Sequence, residues 1–296
     1  MRVWLPQRLV LEVRSLQWRV LRRIRYGPDQ DPYIGKSLAR FQRERSEVAK
    51  ATRRPSGVES GLTLIVTCWG HEAYLEDTVR CIAAQTYDQF NVIFVDDHSP
   101  DSSRQKLTHL VRNLPDRTPF DIIQTPHNVG QMGAVNYAVR ASDSIAYMVL
   151  HDDDYLMHDA IEAYVAILKA NPDLYLVGGG HTKFAGTEFL DKANKLIKLD
   201  HHDYTRIPVR KFYPSDATRF RRPGDLKMTQ SGSVFFRVAW AAVGGYIEKK
   251  RASLIEREWL GPHGDRDFQM RVCSLFPVGV VGYPFTYRRT DSSVGG

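Results

Sequence analysis

The sequence has few cysteines and no hydrophobic run of membrane-spanning length. Its three cysteines, Cys68, Cys81 and Cys273, are scattered without the spacing of a metal site. Such an odd, sparse set argues against a disulfide framework and indicates a reducing compartment. The apolar residues 9–11 are followed by Glu12 and are too few for a secretory signal, and no segment approaches the ~20 apolar residues that span a bilayer. We expect a cytoplasmic protein, either soluble or peripheral on the inner face of the membrane.

The body of the chain also lacks an excess of positive charge, although the sequence as a whole is basic. The net charge is +7, yet residues 1–60 hold fourteen of the 41 basic residues and only six of the 34 acidic ones. The rest of the chain is therefore close to neutral. A nucleic-acid footprint spread over the globular body is not expected, and we predict no nucleic-acid partner.

The basic N-terminal segment has the pattern of an amphipathic helix over residues 3–26. Its apolar residues recur at steps of three and four: Leu9, Val13, Leu16, Val20 and Ile24. A basic amphipathic helix with tryptophans is typical of an element that lies on an anionic membrane surface. The same stripe would equally serve to pack on the protein's own body or on a sister subunit. Residues 27–60 are highly charged and are interpreted as a linker or an additional helix outside the core.

From residue 62 onward, apolar runs of strand length alternate with helical patterns. Strands are predicted at 62–67, 90–95, 120–124 and 145–150, and helices at 74–84, 102–111 and 132–139. This alternation implies right-handed βαβ units and a Rossmann-like, mainly parallel sheet flanked by helices, an α/β fold. The regularity fades beyond residue 175, and residues 185–230 are predicted to be irregular, as a functional loop or a solvated one.

Acidic residues follow two of these strands directly. Asp96 and Asp97 end one strand, and Asp152, Asp153 and Asp154 end another. In open α/β sheets ligands bind at the carboxyl edge, and a divalent cation would relieve the repulsion between adjacent carboxylates. The alternative is a simple strand-to-helix turn, in which side chains from residues 154–159 cap a helix that begins near residue 160.

A series of short motifs occurs at residues 64–69, 74–75, 82–87, 92–99, 128–130 with 136, 243–246, 264–267 and 287–289, together with the acids after residue 151. Their order and spacing resemble those of family 2 glycosyltransferases, which have the nucleotide-sugar-binding GT-A fold. The resemblance covers about residues 62–293. It implies an inverting glycosyltransferase that moves a sugar from a UDP-sugar to a glycan or lipid-linked acceptor, in polysaccharide or glycoconjugate biosynthesis.

The resemblance also implies roles for the residues that would bind the nucleotide. Thr67 and Trp69 correspond to the polar and aromatic residues beside uracil, and Trp69 offers a ring that can stack on the base. Asp97, with Asp96, corresponds to the carboxylate that accepts the uracil N–H. Arg288 and Arg289 correspond to basic residues that the family folds over the diphosphate.

The metal and the catalytic base follow in the same way. Asp152 and Asp153 correspond to the acidic motif that binds Mn²⁺ or Mg²⁺ and contacts the ribose, although His151 stands where the family usually has its first Asp. Asp265 corresponds to the base that takes the proton of the acceptor hydroxyl, and Gly264 stands where the family usually has Glu. Asp267 is an alternative base, and capping of the following helix is an alternative role for Asp265.

We therefore expect a helical extension and linker over residues 1–60 and a GT-A domain over residues 61–296. Within the domain, residues 61–155 would bind the nucleotide and residues 156–296 the acceptor. Two other functions stay open: a non-catalytic nucleotide- or glycan-binding module, and a sugar nucleotidyltransferase. The latter is disfavoured because no Gly-rich basic loop follows the first strand.

Overall fold

The computed structural model describes residues 32–113, 118–185, 203–222, 224–248 and 264–291. The amphipathic helix predicted over residues 3–26 lies outside these residues, and so does its predicted contact with a membrane surface. None of the helices in the described ranges is both long enough and apolar enough to traverse a bilayer.

An eight-stranded sheet forms the centre, with the strand order β3-β2-β1-β4-β9-β6-β10-β8. Strands β1, β2, β3, β4, β6 and β10 run parallel, whereas β9 and β8 are antiparallel to their neighbours. The strands are β1 (Leu62–Cys68), β2 (Phe90–Asp96), β3 (Phe120–Gln124), β4 (Ala146–His151), β6 (Leu176–Gly179), β8 (Val209–Phe212), β9 (Val234–Phe236) and β10 (Val278–Val281). The predicted mainly parallel α/β fold is confirmed.

Both faces of the sheet are buried, which explains why its inner strands are continuous apolar runs. Successive residues of β1 point to opposite faces, so Leu64 and Val66 enter one hydrophobic cluster while Ile65 enters the other. Helices α3 (Leu75–Ala83), α4 (Ser103–Leu110) and α6 (Ala160–Ala170) cover the first face. Helices α1 (Pro32–Glu44), α5 (Gln131–Ala141), α8 (Arg237–Val243) and α9 (Gly264–Leu275) cover the second.

A small second sheet brings the end of the described chain to the tip of β4. It consists of β5 (Tyr155–Leu156), β11 (Thr286–Arg289) and β7 (Thr182–Phe184) in the order β5-β11-β7. Residue Tyr287 pairs with Tyr155, immediately after the acidic residues that follow β4. The last strand therefore lies beside the acidic tip.

Two expectations about the organisation of the chain were wrong. The segment before residue 60 contributes to the core: Ile34 and Leu38 of α1 are almost completely buried, and α1 packs on α9 and on the short helix α7 (Pro214–Ala217). A second short helix, α2 (Ser46–Ala51), follows it. Residues 185–230 are also partly regular, since they supply β8 as an edge strand and α7. β8 and α7 have four residues each, which is too few for a periodic signal, whereas the burial of α1 depends on its packing against α9 and α7.

Candidate active site

The carboxylate of Asp152 lies at the carboxyl end of β4, where the sheet opens. Its side chain is 3% exposed, and it accepts hydrogen bonds from the Trp69 backbone N–H at 3.0 Å and from His71 Nδ1 at 2.7 Å. Burial raises the pKa of Asp152, an effect that the bond from His71 partly offsets. The same bond raises the pKa of His71. These two hydrogen bonds connect the turn after β1 to the tip of β4, by which we mean residues 151–154.

Asp153 is the common member of two groups that could hold a cation. Ligand atoms of His71, Asp152 and Asp153 lie within 4.8 Å of one another, and so do those of His151, Asp153 and Asp154. Within the described residues these are the two groups of this kind. Carboxylate oxygens suit Mn²⁺ and Mg²⁺, and an imidazole nitrogen beside them suits the transition metal better. The donor set therefore fits the divalent cation that the sequence predicts.

Asp154 and Asp159 do not cap α6, which corrects the capping interpretation. Asp154 is buried, and its Oδ1 accepts the Arg289 backbone N–H at 3.3 Å. Asp159 occupies the N-cap position without a side-chain cap bond, and its Oδ2 accepts the Tyr204 hydroxyl at 2.8 Å instead. Burial raises the pKa of Asp154, while attraction to His151 works in the opposite direction.

The two neighbouring arginines of β11 have different environments. Arg288 is exposed, whereas Arg289 is buried. The Arg289 guanidinium lies 3.0 Å from Asp77 Oδ2, donates from Nε to the Asp153 carbonyl oxygen at 3.2 Å, and is flanked by the rings of Tyr74 and Phe184. Successive residues of a strand point to opposite faces, so only Arg288 is free to reach a bound diphosphate.

Asp96 and Asp97 are buried at the end of β2 and hold the loops around them. Asp96 accepts bonds from the Ser99 N–H and the Gln124 amide. Asp97 accepts the Thr125 hydroxyl and the N–H groups of residues 129 and 130, all within 2.8 Å. Each oxygen of a carboxylate has two lone pairs, and Oδ2 of Asp97 accepts one hydrogen bond, from the residue 130 N–H.

Of the other two predicted nucleotide-binding residues, one is buried and one is accessible. Thr67 is 7% exposed, near the end of β1, and its carbonyl oxygen accepts the Asp152 N–H at 3.3 Å. The Trp69 ring is 39% exposed. The ring is therefore available to stack on a planar base.

Asp265 lies in the first turn of α9 and faces a cavity of about 360 Å³. Asp265 has helical geometry, in the part of α9 that the structure describes from Gly264 onward. The cavity is lined by Gln131, Met132, His151, Asp154, His181, Met228, Thr229, Gln230, Ser231, Asp265, Arg266 and Arg288. The predicted base and the predicted diphosphate ligand Arg288 therefore share one cavity with the tip of β4.

Asp267 is committed to a structural ion pair. It is 5% exposed and lies 2.7 Å from the Arg271 guanidinium. Arg271 also donates to the carbonyl oxygens of Val243 and Gly245 at 2.7 and 2.9 Å. This pair fixes α9 to the turn after α8, and it leaves Asp265 as the carboxylate of α9 that faces the cavity.

Asn136 of α5 holds the same turn from the other side. Its amide donates to the Tyr246 carbonyl oxygen at 2.8 Å, and its oxygen accepts the Tyr246 N–H and the Trp240 indole N–H at 2.9 Å each. The Tyr246 ring stacks on Phe268 of α9. The turn after α8 is therefore held by hydrogen bonds from α5, and it packs in turn on α9.

A larger cavity, of about 530 Å³, lies at the opposite edge of the sheet. It is lined by residues at the amino ends of β1, β2 and β4, and its two acidic residues, Asp121 and Asp143, are exposed. Neither group of candidate metal ligands is there. We therefore place the site at the smaller, polar cavity.

Several residues of this site were assigned no role from the sequence. His71, Gln131, His181, Gln230 and Arg266 all lie at the acidic tip or in the cavity. His71 follows Trp69 by two residues, and this position near an aromatic residue at a strand end is the sequence feature that could have indicated that His71 belongs to the site. The others come from separate elements, and only the fold brings them together.

The fold and site together are those of a GT-A type α/β protein, and the sequence comparison gives the family. Residues 63–241 match the family model described as Glycosyl transferase family 2. Since this match covers more than half of the chain, the chain belongs to glycosyl transferase family 2.

Curated relatives match over shorter regions. The poly-β-1,6-N-acetyl-D-glucosamine synthase of Staphylococcus aureus is 24% identical over 119 residues, which are 40% of this chain and 28% of the relative. The teichoic acid poly(glycerol phosphate) polymerase of Staphylococcus epidermidis is 31% identical over 104 residues, 35% of this chain and 14% of the relative. The matches thus span less than a third of the length of these two relatives.

Two solved structures have the same fold. Staphylococcus aureus TarS, residues 1–349 in complex with UDP-GlcNAc, is similar with a TM-score of 0.57 at 13% identity, covering 78% of this chain and 59% of TarS. The mannosyltransferase PcManGT from Pyrobaculum calidifontis, in complex with GDP-Man and Mn²⁺, has a TM-score of 0.54 at 14% identity, covering 90% and 70%.

Proposed function

We propose that the protein is a metal-dependent, inverting glycosyltransferase that uses a UDP-sugar. The observation that carries the proposal is the single cavity in which the Asp265 carboxylate faces the acidic tip of β4. A nucleotide-sugar donor is in keeping with the ligands named for TarS and PcManGT.

The donor would lie along the carboxyl edge of the sheet. Trp69 would stack on uracil, beside Thr67, while Asp97 accepts the uracil N–H and Asp96 supports the loop. Asp152 would contact the ribose or the metal, and Arg288 would reach over the diphosphate. Arg289 would act indirectly, because its buried guanidinium holds the Asp153 carbonyl oxygen.

The cation would be held by Asp153 and Asp152, with His71 or His151 close enough to complete the group. Bound Mn²⁺ or Mg²⁺ would offset the charge of the diphosphate leaving group. The protein itself would supply the proton acceptor. Asp265 would accept the proton of the acceptor hydroxyl as that oxygen attacks the anomeric carbon from the side opposite the diphosphate.

The acceptor would be a glycan or a lipid-linked glycan. The relatives are named for cell-surface polymers, a poly-N-acetylglucosamine and a poly(glycerol phosphate). We also propose that the protein acts at the cytoplasmic face of a membrane, to which residues 1–26 bind peripherally. Within the domain, residues 61–155 would bind the nucleotide and residues 156–296 the acceptor.

Release of UDP tests the proposal. With a UDP-sugar, Mn²⁺ and a panel of glycan acceptors, we expect wild-type protein to release UDP. Asp265→Asn should reduce the rate by about 100-fold or more because it removes the proton acceptor, while UDP affinity is retained. Asp267→Asn is the comparison variant, with its stability measured in parallel.

The outcomes separate the alternatives. Full activity of Asp265→Asn would show that the base is another group. Mn²⁺-dependent UDP binding without turnover on any acceptor would favour a binding module, and formation of a sugar nucleotide from a nucleoside triphosphate would favour a nucleotidyltransferase.

A further inference from the structure

The outer face of helix α1 carries a row of basic residues. Lys36, Arg40 and Arg43 follow one another at steps of four and three, so they lie on one face of the helix, and all three are exposed. The opposite face holds Ile34 and Leu38, which are buried, and α1 packs on α9 and α7. The basic row therefore points away from the body of the protein.

Arg221 adds a fourth basic side chain beside this row. An added Cβ on Gly35 would lie 2.6 Å from Arg221 Nη1, so the guanidinium lies against α1 at the residue before Lys36. Arg221 Nη1 donates to the carbonyl oxygens of Thr218 and Phe220 at 3.0 and 2.9 Å, and these neutral acceptors leave its charge in place. We define the α1 basic face as the side chains of Lys36, Arg40, Arg43 and Arg221.

Acidic residues near the α1 basic face are too few to neutralise it. Residues 32–45 and 214–227, the two segments that form it, contain eight basic and three acidic residues in total. Each of the three acids lies within 4 Å of an arginine. The other five basic residues, three of them members of the α1 basic face, have no ion pair within the described part of the chain. This surface therefore has an excess of positive charge.

The α1 basic face is close in the chain to the segment that is predicted to bind a membrane. Residues 3–26 have the pattern of a basic amphipathic helix, and α1 begins at Pro32. Six residue steps span at most about 20 Å, so a surface that holds residues 3–26 is within that distance of the start of α1. A row of basic residues on a convex helix suits a plane of anionic lipid headgroups, to which each basic residue adds attraction.

We propose that the α1 basic face is a second contact with an anionic membrane surface. The inference rests on the peripheral membrane binding proposed above, and it extends that binding from residues 1–26 to the described part of the chain. Two weak contacts with one surface bind more tightly than either alone, because the first contact raises the local concentration of the second. The headgroups supply the negative charge that the α1 basic face lacks.

Sedimentation of the full-length protein with vesicles provides the test. The variant carries Lys36→Gln, Arg40→Gln and Arg43→Gln together, and the vesicles are phosphatidylcholine with phosphatidylglycerol as the anionic lipid. We expect this α1 set to bind at least about tenfold more weakly than the wild type, since each basic residue near an anionic surface adds about fivefold to the affinity. Vesicles of phosphatidylcholine alone should bind both proteins equally weakly.

Two matched variants separate the α1 basic face from net charge and from helix packing. Lys106→Gln, Arg112→Gln and Lys169→Gln remove the same charge from the other side of the sheet. They should change the affinity by less than about twofold, because the sheet and its helices separate them from α1 by more than a Debye length of about 10 Å. Arg40→Lys with Arg43→Lys keeps the charge and should bind as the wild type does. Unfolding curves and UDP titrations establish that each variant is folded.

A further set of substitutions reports on the N-terminal segment separately. Arg19→Gln, Arg22→Gln and Arg23→Gln, made together in the full-length protein, should also weaken binding to the anionic vesicles. Weaker binding of the α1 set alone would support the inference and would count against membrane binding by residues 1–26.

Three results would overturn the inference. The first is an α1 set that binds anionic vesicles as the wild type does, and the second is an equal loss in the set on the other side of the sheet, which would assign the effect to net charge. The third is tighter binding of a DNA duplex that the α1 set loses, which would assign the face to nucleic acid. A wild-type protein that does not sediment with anionic vesicles would also overturn it, whereas UDP release tests the transferase independently.

Discussion

At the scale of the residue, Arg288 and Arg289 of β11 have different roles because neighbouring residues of a strand point to opposite faces. The exposed Arg288 lines the cavity, whereas the buried Arg289 holds Asp77 and the backbone of Asp153. A surface arginine acts through what it binds. A buried arginine such as Arg289 contributes through the groups that it holds in place, and its loss removes the nearer cation of Asp77.

Substitution of the two arginines should therefore have opposite signatures. Arg289→Gln is expected to lower the free energy of unfolding by about 2 kcal/mol because the buried end of the ion pair with Asp77 is lost and Arg80, 3.8 Å from Asp77, remains as its cation, and to weaken the Mn²⁺-dependent part of UDP binding. Arg288→Gln should change stability by less than about 0.5 kcal/mol and weaken UDP binding directly. Urea unfolding and UDP titrations with and without Mn²⁺ measure both effects, and identical profiles for the two variants would refute the assignment.

At the scale of the element, α9 and α1 are coupled by packing. Helix α9 carries Asp265 at its first turn and is fixed by the Asp267–Arg271 pair. Helix α1 packs against it, so a segment that precedes the family-matched region supports the helix that carries Asp265. Gly35 of α1 lies against Thr218, the residue that follows α7, because an added Cβ would collide with the Thr218 carbonyl oxygen.

Gly35→Ala tests this contact. In an exposed helix the change would stabilise by up to ~1 kcal/mol, but here we expect a net loss of roughly 1–3 kcal/mol because the backbone of α7 must move. Gly282→Ala is the control, since an added Cβ there meets nothing within 4 Å. Thermal and urea unfolding measure the difference; a Gly35→Ala variant as stable as the wild type would mean that α1 is loosely attached.

At the scale of the whole molecule, charge is divided between the basic N-terminal segment and a nearly neutral body. If residues 1–26 bind a membrane, they would hold the protein at the surface that carries a lipid-linked acceptor. The attraction of such a segment to anionic lipid falls as ionic strength rises.

Removal of residues 1–26 should accordingly reduce sedimentation with vesicles that contain anionic lipid, and added salt should reduce binding of the intact chain. Neutral vesicles serve as the control. Since α1 and the sheet would remain, UDP affinity should persist. If the shortened protein sediments as the intact protein does, the apolar stripe is better explained by packing on the protein's own body or on a sister subunit.

The sequence by itself determined the α/β alternation, the acidic strand ends and the family. These features are local: hydrophobic period and strand length depend on neighbours in the chain, and acids at a strand end need no partner to be recognised. Only the tertiary structure decided that Asp267 is paired with Arg271 and so leaves Asp265 to face the cavity, that Arg289 is buried, and that residues 32–44 join the core. Each of these outcomes depends on which distant side chain or backbone atom lies opposite, and such a pairing exists only once the sheet and its helices have packed.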